Sequence, residues 1–184
     1  RYKNSKKIKN KTLILNTKIE EFKSVNKKAK VVSVPRAYDL PIKKGDIVYV
    51  HHNVFRRFYN MKGSQQNSRS YFKEDLFFCS PDQIFLYNSG SNNSFLNRCF
   101  VKPLISNKLG EKVLPNLGIL KYGNKELKSL SINEGDLVSF PSLREWQFNI
   151  DGELLYCMKS KDILIKHEYK GDEKEYNPSW AVSS

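Results

Sequence analysis

The chain has 184 residues, enough for one large domain or two small ones. Hydrophobic residues at 39% and aromatics at 12% exclude a generally disordered chain, and 9 Gly with 7 Pro exclude a collagen-like or linker-like one. Thirty-two Lys and Arg stand against 19 Asp and Glu, a net charge of +13, but residues 1–30 hold eleven of the cations against only Glu20 and Glu21, so the excess marks a basic arm and its first loop more than a uniformly basic surface.

No apolar run approaches the 18 or more residues of a membrane-crossing helix, and no apolar stretch follows the N-terminal lysines as it would in a secretory leader. Cys79, Cys99 and Cys157 are odd in number and lack C-x-x-C spacing, which reads as reduced, partly buried thiols. The expectation is a soluble protein of a reducing compartment.

In chain order the predicted elements are short strands. They fall at 12–16 (TLILN), 29–34 (AKVVSV), 46–51 (DIVYVH), 76–79 and 83–87 (QIFLY). An Asn/Ser/Gly-rich stretch follows, and then strands at 99–102, 117–122, 136–141, 147–150, 154–158 and 162–166. Each has four to six residues, is rich in Val, Ile, Phe and Tyr, and is bounded by Gly, Pro, Asn or Asp. Only 19–26 suggests a turn of helix. With no sustained 3.6-residue periodicity, the fold class is all-β.

Internal repetition is the strongest signal. Lys43-Lys44-Gly45-Asp46-Ile47-Val48-Tyr49-Val50 returns 90 residues later as Asn133-Glu134-Gly135-Asp136-Leu137-Val138-Ser139-Phe140. Each copy closes on a similar phrase, Asp82-Gln83-Ile84 and Asp162-Ile163, offset by 79, so the first copy carries about 11 extra residues. The polar run 59–69 (YNMKGSQQNSR) is the inserted loop this spacing predicts. In the repeated phrase glycine permits a tight turn, and the Asp carboxylate is placed to accept from nearby backbone N–H groups.

The second copy resembles the chaperonin-10 family, the GroES-type co-chaperonins. The resemblance rests on Phe100-Val101-Lys102-Pro103-Leu104, Val113-Leu114-Pro115, Gly118-Ile119-Leu120, the Gly135-Asp136 turn, Asp151-Gly152-Glu153-Leu154-Leu155-Tyr156 and Asp162-Ile163-Leu164, over about 98–167. The whole chain, ending in Tyr176-Asn177-Pro178-Ser179-Trp180, is similar to the tandem form encoded by T4-like and marine phages. The resemblance implies two tandem GroES-like small β-barrels with an extended arm and tail. Their bounds are a basic arm at 1–9, a degenerate barrel at 10–88 with the inserted loop, a linker at 89–96, a second barrel at 97–168 and a tail at 169–184. It further implies that the loop 106–116 holds the ring-binding residues, with Val113 and Leu114 at the place of the hydrophobic triplet and Lys112 at its beginning. In the first copy that loop corresponds to 18–28.

Other candidates read as structural. His51-His52 sit at a strand end with side chains on opposite faces, poorly placed to share a metal. Each Cys stands alone, and Asp46 and Asp136 are equivalent turn residues more than a catalytic pair. No Gly-rich phosphate loop, H-E-x-x-H or G-x-S-x-G occurs. A non-enzyme without cofactor or metal is expected. Around the insertion, Phe55, Arg56, Arg57, Phe58, Tyr59, Tyr71 and Phe72 combine aromatics with cations, as do protein interfaces and single-strand binders; the protein interface is favoured. Tyr176 and Trp180 in the tail belong to the same candidate interface.

The function expected is a phage-encoded co-chaperonin that assists capsid-protein folding with a host chaperonin ring. Two alternatives stay open: a virion structural protein built on the same fold, and a nucleic-acid-binding module. Partners are further copies of the chain, virion subunits or a chaperonin ring, with no membrane, in the host cytoplasm or the virion.

Overall fold

The computed structural model describes residues 5–8, 11–14, 27–37, 39–105, 113–141 and 146–168. The protein is mostly β-sheet, with one short α-helix among the described residues. It divides into two compact units, Arg1–Gly90 and Ser91–Ser184.

The first unit begins with β1 (Ser5–Ile8) and β2 (Lys11–Ile14), an antiparallel pair in which Ser5 faces Ile14. The basic arm expected to be extended over 1–9 thus carries a paired strand, and the helical turn expected at 19–26 lies outside the described residues. Next come β3 (Lys28–Lys30), β4 (Ile47–Val50) and a 3₁₀ turn at His52–Val54. Two small hairpins follow, β5 (Phe58–Tyr59) with β6 (Gln65–Gln66) and β7 (Tyr71–Lys73) with β8 (Leu76–Phe77). A 3₁₀ turn at Pro81–Gln83 leads into β9 (Ile84–Asn88). Strand β4 lies between β9 and β3, and their core holds Val48, Val50, Val54, Phe85 and Leu86.

The second unit opens with β10 (Asn92–Ser94), where the sequence suggested a linker, and Phe95 behind it is buried. Then come β11 (Arg98–Ile105), β12 (Val113–Tyr122), α1 (Lys125–Ser129), β13 (Leu137–Ser139), β14 (Trp146–Ile150), β15 (Glu153–Lys159), a 3₁₀ turn at Ser160–Asp162 and β16 (Ile165–His167). Six of these strands form one antiparallel sheet in the order β14-β15-β11-β12-β13-β16. It ends in two edges, so the small closed barrel expected here is not formed among the described strands.

Residues on both faces of this sheet are buried. Cys99, Val101, Leu120, Val138, Phe140 and Met158 pack with Leu127 of α1. From its other face, Phe100 meets Phe148 edge-on at 5.7 Å. The helix was not foreseen, and its five residues are too few to show a period. Asn124 caps it by accepting from the Leu127 amide at 3.0 Å, while its Nδ2 donates to the Arg98 carbonyl and the Ser160 hydroxyl.

Each unit repeats one three-strand arrangement in one register. In the first, Ile47, Val48 and Tyr49 face Asn88, Tyr87 and Leu86 on one side and Lys30, Ala29 and Lys28 on the other. In the second, Leu137, Val138 and Ser139 face His167, Lys166 and Ile165 on one side and Ile119, Gly118 and Leu117 on the other. The Gly-Asp turn feeds both in the same way. Gly45 (φ 99°) donates to the Val31 carbonyl at 2.8 Å, and Gly135 (φ 93°) to the Leu120 carbonyl at 2.8 Å. The left-handed backbone there favours glycine. The Asp46 carboxylate accepts from the Lys43 amide at 2.8 Å, and that of Asp136 from the Asn133 amide at 2.7 Å.

The closing phrases align differently from their letters. Gln83 Oε1 accepts from the Ser80 amide, and Asp162 Oδ2 from the Lys159 amide, both at 3.1 Å. The structural partner of Asp162 is therefore Gln83, and not the look-alike Asp82.

Candidate functional site

The stretch between β4 and β9 gathers most of the candidate interface residues. Phe55 lies in this stretch but, contrary to expectation, is buried, being only 8% exposed. Its ring meets Phe77 edge-on at 4.9 Å, and Phe77 meets Tyr71 at 5.6 Å, so this trio is the root of the hairpins. The half-buried Tyr71 therefore serves packing more than contact. Arg56 is exposed, Arg57 donates from Nη1 to Gln65 Oε1 at 3.2 Å, and Phe58 and Tyr59 are each about half exposed.

Phe72 does face outward. Its ring lies 5.0 Å from that of Phe78 at a tilt of 57°, with the Lys73 ammonium 5.7 Å from the Phe72 ring centre. The period of two sorts these residues, sending Tyr71 and Phe77 inward and Phe72 and Phe78 outward. The sequence reading missed Phe78 because it falls at the end of an apolar run with no polar alternation to orient it. It also missed Met61, which is fully exposed.

The expected inserted loop is a hairpin with a fixed tip. Asn60 Oδ1 accepts from the Lys62 and Ser64 amides at 3.0 and 2.9 Å, and the Gly63 amide donates to the Asn60 carbonyl at 2.9 Å. A side-chain acceptor at the first position of such a turn holds it without any core.

Val113 and Leu114, expected on a loop spanning 106–116, begin strand β12, and Val113 faces Ile105 across the sheet. Residues 106–112 lie outside the described residues, as do Tyr176 and Trp180. Residues 18–26 of the corresponding first-copy loop are also outside, whereas Lys28 is in β3.

The histidine pair does not sit on opposite faces as expected: β4 ends at Val50 and His52 opens the 3₁₀ turn, so the two rings stack with centres 4.3 Å apart, and His51 meets Phe85 edge-on. His51 Nδ1 accepts from the Asn53 amide at 3.1 Å, capping the 3₁₀ turn. Burial, then the charges of His51, Lys27 and Arg56, push His52 from the usual 6.5 down to about 4, so it is neutral near pH 7. Among the described residues no cluster of three His, Cys, Asp or Glu could hold a metal ion.

Cys99 and Cys157 are buried, and burial pushes the Cys99 thiol up to about 12 and Cys157 upward as well. Cys79, expected in a strand, lies beyond the end of β8 and is exposed. No helix among the described residues is long and apolar enough to cross a membrane.

No protein-family model matches the chain, and no curated protein matches it.

Proposed function

We propose that the protein is a phage-encoded, GroES-like co-chaperonin in which two unequal copies of one β-module are joined in a single chain, and that it assists capsid-protein folding with a host chaperonin ring. What supports this reading is the repetition of one strand register in both units around the Gly45-Asp46 and Gly135-Asp136 turns, the second of which is among the residues on which the chaperonin-10 resemblance rests. In this reading the chain assembles with further copies into a ring, and residues 106–114 of each copy meet the partner. Val113 and Leu114 supply the apolar contact at the base of that segment.

Burying two such side chains contributes at most about 3–5 kcal/mol before ordering costs, too little for one subunit to hold a partner. Several copies bound together raise the effective concentration of each contact, and a ring supplies that multiplicity. The test is co-sedimentation with a chaperonin ring in the presence of nucleotide. Wild type should co-sediment, and Val113→Ser with Leu114→Ser should lose chaperonin binding while keeping the assembly of the chain with itself. A wild-type protein that assembles but never binds the chaperonin overturns the reading and leaves the virion building block. The half-exposed Phe58 and Tyr59 and the exposed Phe72 on the first unit are the observation favouring that second reading.

A further inference from the structure

Between the last two strands of the shared arrangement the second unit places β14 and β15, which pair into its main sheet. In the same interval the first unit has the two small hairpins, which among the described residues pair only within themselves. They are rooted by the trio Phe55, Tyr71 and Phe77 and turn large apolar groups to solvent: Phe72 is 54% exposed, Phe78 66%, and Met61 fully. Exposed aromatics paired on an ordered hairpin are unusual on a surface that contacts only water.

The charge around them is net positive. Residues 54–78 contain Arg56, Arg57, Lys62, Arg69 and Lys73 against Glu74 and Asp75, a net charge of +3. Two copies of this face would meet with like net charge. A fitting occupant combines carboxylates with large apolar side chains, and the chain itself contains such a segment. Residues 168–175 carry Glu168, Asp172, Glu173 and Glu175 against Lys170 and Lys174, followed by Tyr176, Pro178 and Trp180.

We propose that the 54–78 face of one molecule is the docking site for the C-terminal segment, residues 168–184, of a second copy. The carboxylates lie toward the arginines and Lys73, and Tyr176 and Trp180 lie against the Phe72–Phe78 pair. Aromatic anchors with Arg neighbours are the usual source of interface affinity, and the charges set orientation and association rate. The inference stands apart from chaperonin binding, which uses different residues.

The probe is a fluorescent synthetic peptide of residues 168–184, titrated with the full chain at low concentration. Saturable binding is expected, weakened severalfold between about 50 and about 500 mM salt. Phe72→Ala with Phe78→Ala should weaken it about tenfold or more, and so should a peptide carrying Tyr176→Ala and Trp180→Ala. Both phenyl groups are exposed, and an unchanged cooperative melt checks that the variant folds. A second variant, Arg69→Glu with Lys73→Glu, should weaken binding and flatten its salt dependence. In sedimentation velocity, excess peptide should reduce self-association of the wild-type chain. Absence of saturable binding, or equal affinity for the Phe72/Phe78 variant, overturns the proposal. A single-stranded oligonucleotide that binds this face more tightly than the peptide also overturns it, in favour of nucleic acid.

Discussion

At Gly118 the second unit has no room for a side chain, whereas at the equivalent Ala29 the first unit carries one. A Cβ on Gly118 would run into the Val101 side chain and the Lys102 carbonyl, because β12 lies between β11 and β13. Among the described strands β3, which holds Ala29, ends its sheet. The same backbone register therefore imposes different residue requirements according to whether a further strand lies alongside. A second contrast concerns the turn carboxylates. Asp136 is 7% exposed and takes the Lys166 ammonium at 2.6 Å, which also donates to the Ser131 carbonyl at 2.7 Å. The residue equivalent to Lys166 in the first unit is Tyr87, facing Val48 where Lys166 faces Val138. The second unit ties its closing strand to its turn by an ion pair, a tie that a tyrosine cannot make.

These contrasts predict unequal responses to matched substitutions. The largest is expected at the glycine. Gly118→Val should cost about 3 kcal/mol or more, since the clash is with backbone as well as side chain. Ala29→Val on the edge strand should change stability by under about 1 kcal/mol. Denaturant titration followed by tryptophan fluorescence reads the first, and circular dichroism reads the second. Equal costs would mean that the two strands have the same surroundings.

Smaller is the effect at the turns. Asp136→Ala removes the acceptor of the Asn133 amide and the partner of Lys166, and should cost about 2 kcal/mol. Asp46→Ala removes a turn acceptor and should cost about 1 kcal/mol, the order of a lost cap. Thermal unfolding of the two variants at matched pH checks the ranking.

Smallest is a pH effect in the first unit. His52 binds a proton less readily in the folded state, at about 4, than in the unfolded chain, near 6.5. In that window the unfolded state holds more protons, so stability falls as pH drops from about 6.5 toward about 4 and is fully present above it. The loss should be on the order of 1 kcal/mol after solvent screening. In His52→Gln this part of the pH dependence of unfolding should vanish, with the acid response of the carboxylates left in place.

Much of the shared arrangement could be read from the sequence because its signals are local. The Gly-Asp turns need a positive φ at Gly45 and Gly135 and a carboxylate one residue later, and both appear as letters. What failed to show depends on contacts distant in sequence. Phe77, Phe72 and Phe78 have the same chemistry, and only the alternation along the β7–β8 hairpin turns the first inward and the others out. The role shared by Gln83 and Asp162 was hidden by the identity of Asp82 and Asp162, since either an amide or a carboxylate oxygen serves as acceptor. Helix α1 rests on one buried side chain, Leu127, and one cap, Asn124, too little to produce a pattern. Val113 and Leu114 could pass for loop residues because the strand that holds them is paired through Ile105, a partner eight positions away.

The central claim is that two copies of one strand register are joined in this chain, and cross-strand nuclear Overhauser contacts test it most directly. In a uniformly labelled sample, backbone contacts should link Ile47 with Asn88 and Val48 with Tyr87, and likewise Leu137 with His167 and Val138 with Lys166. A slip of one residue in either unit would turn that strand's side chains to the opposite face, and finding it in one unit but not the other would contradict the account.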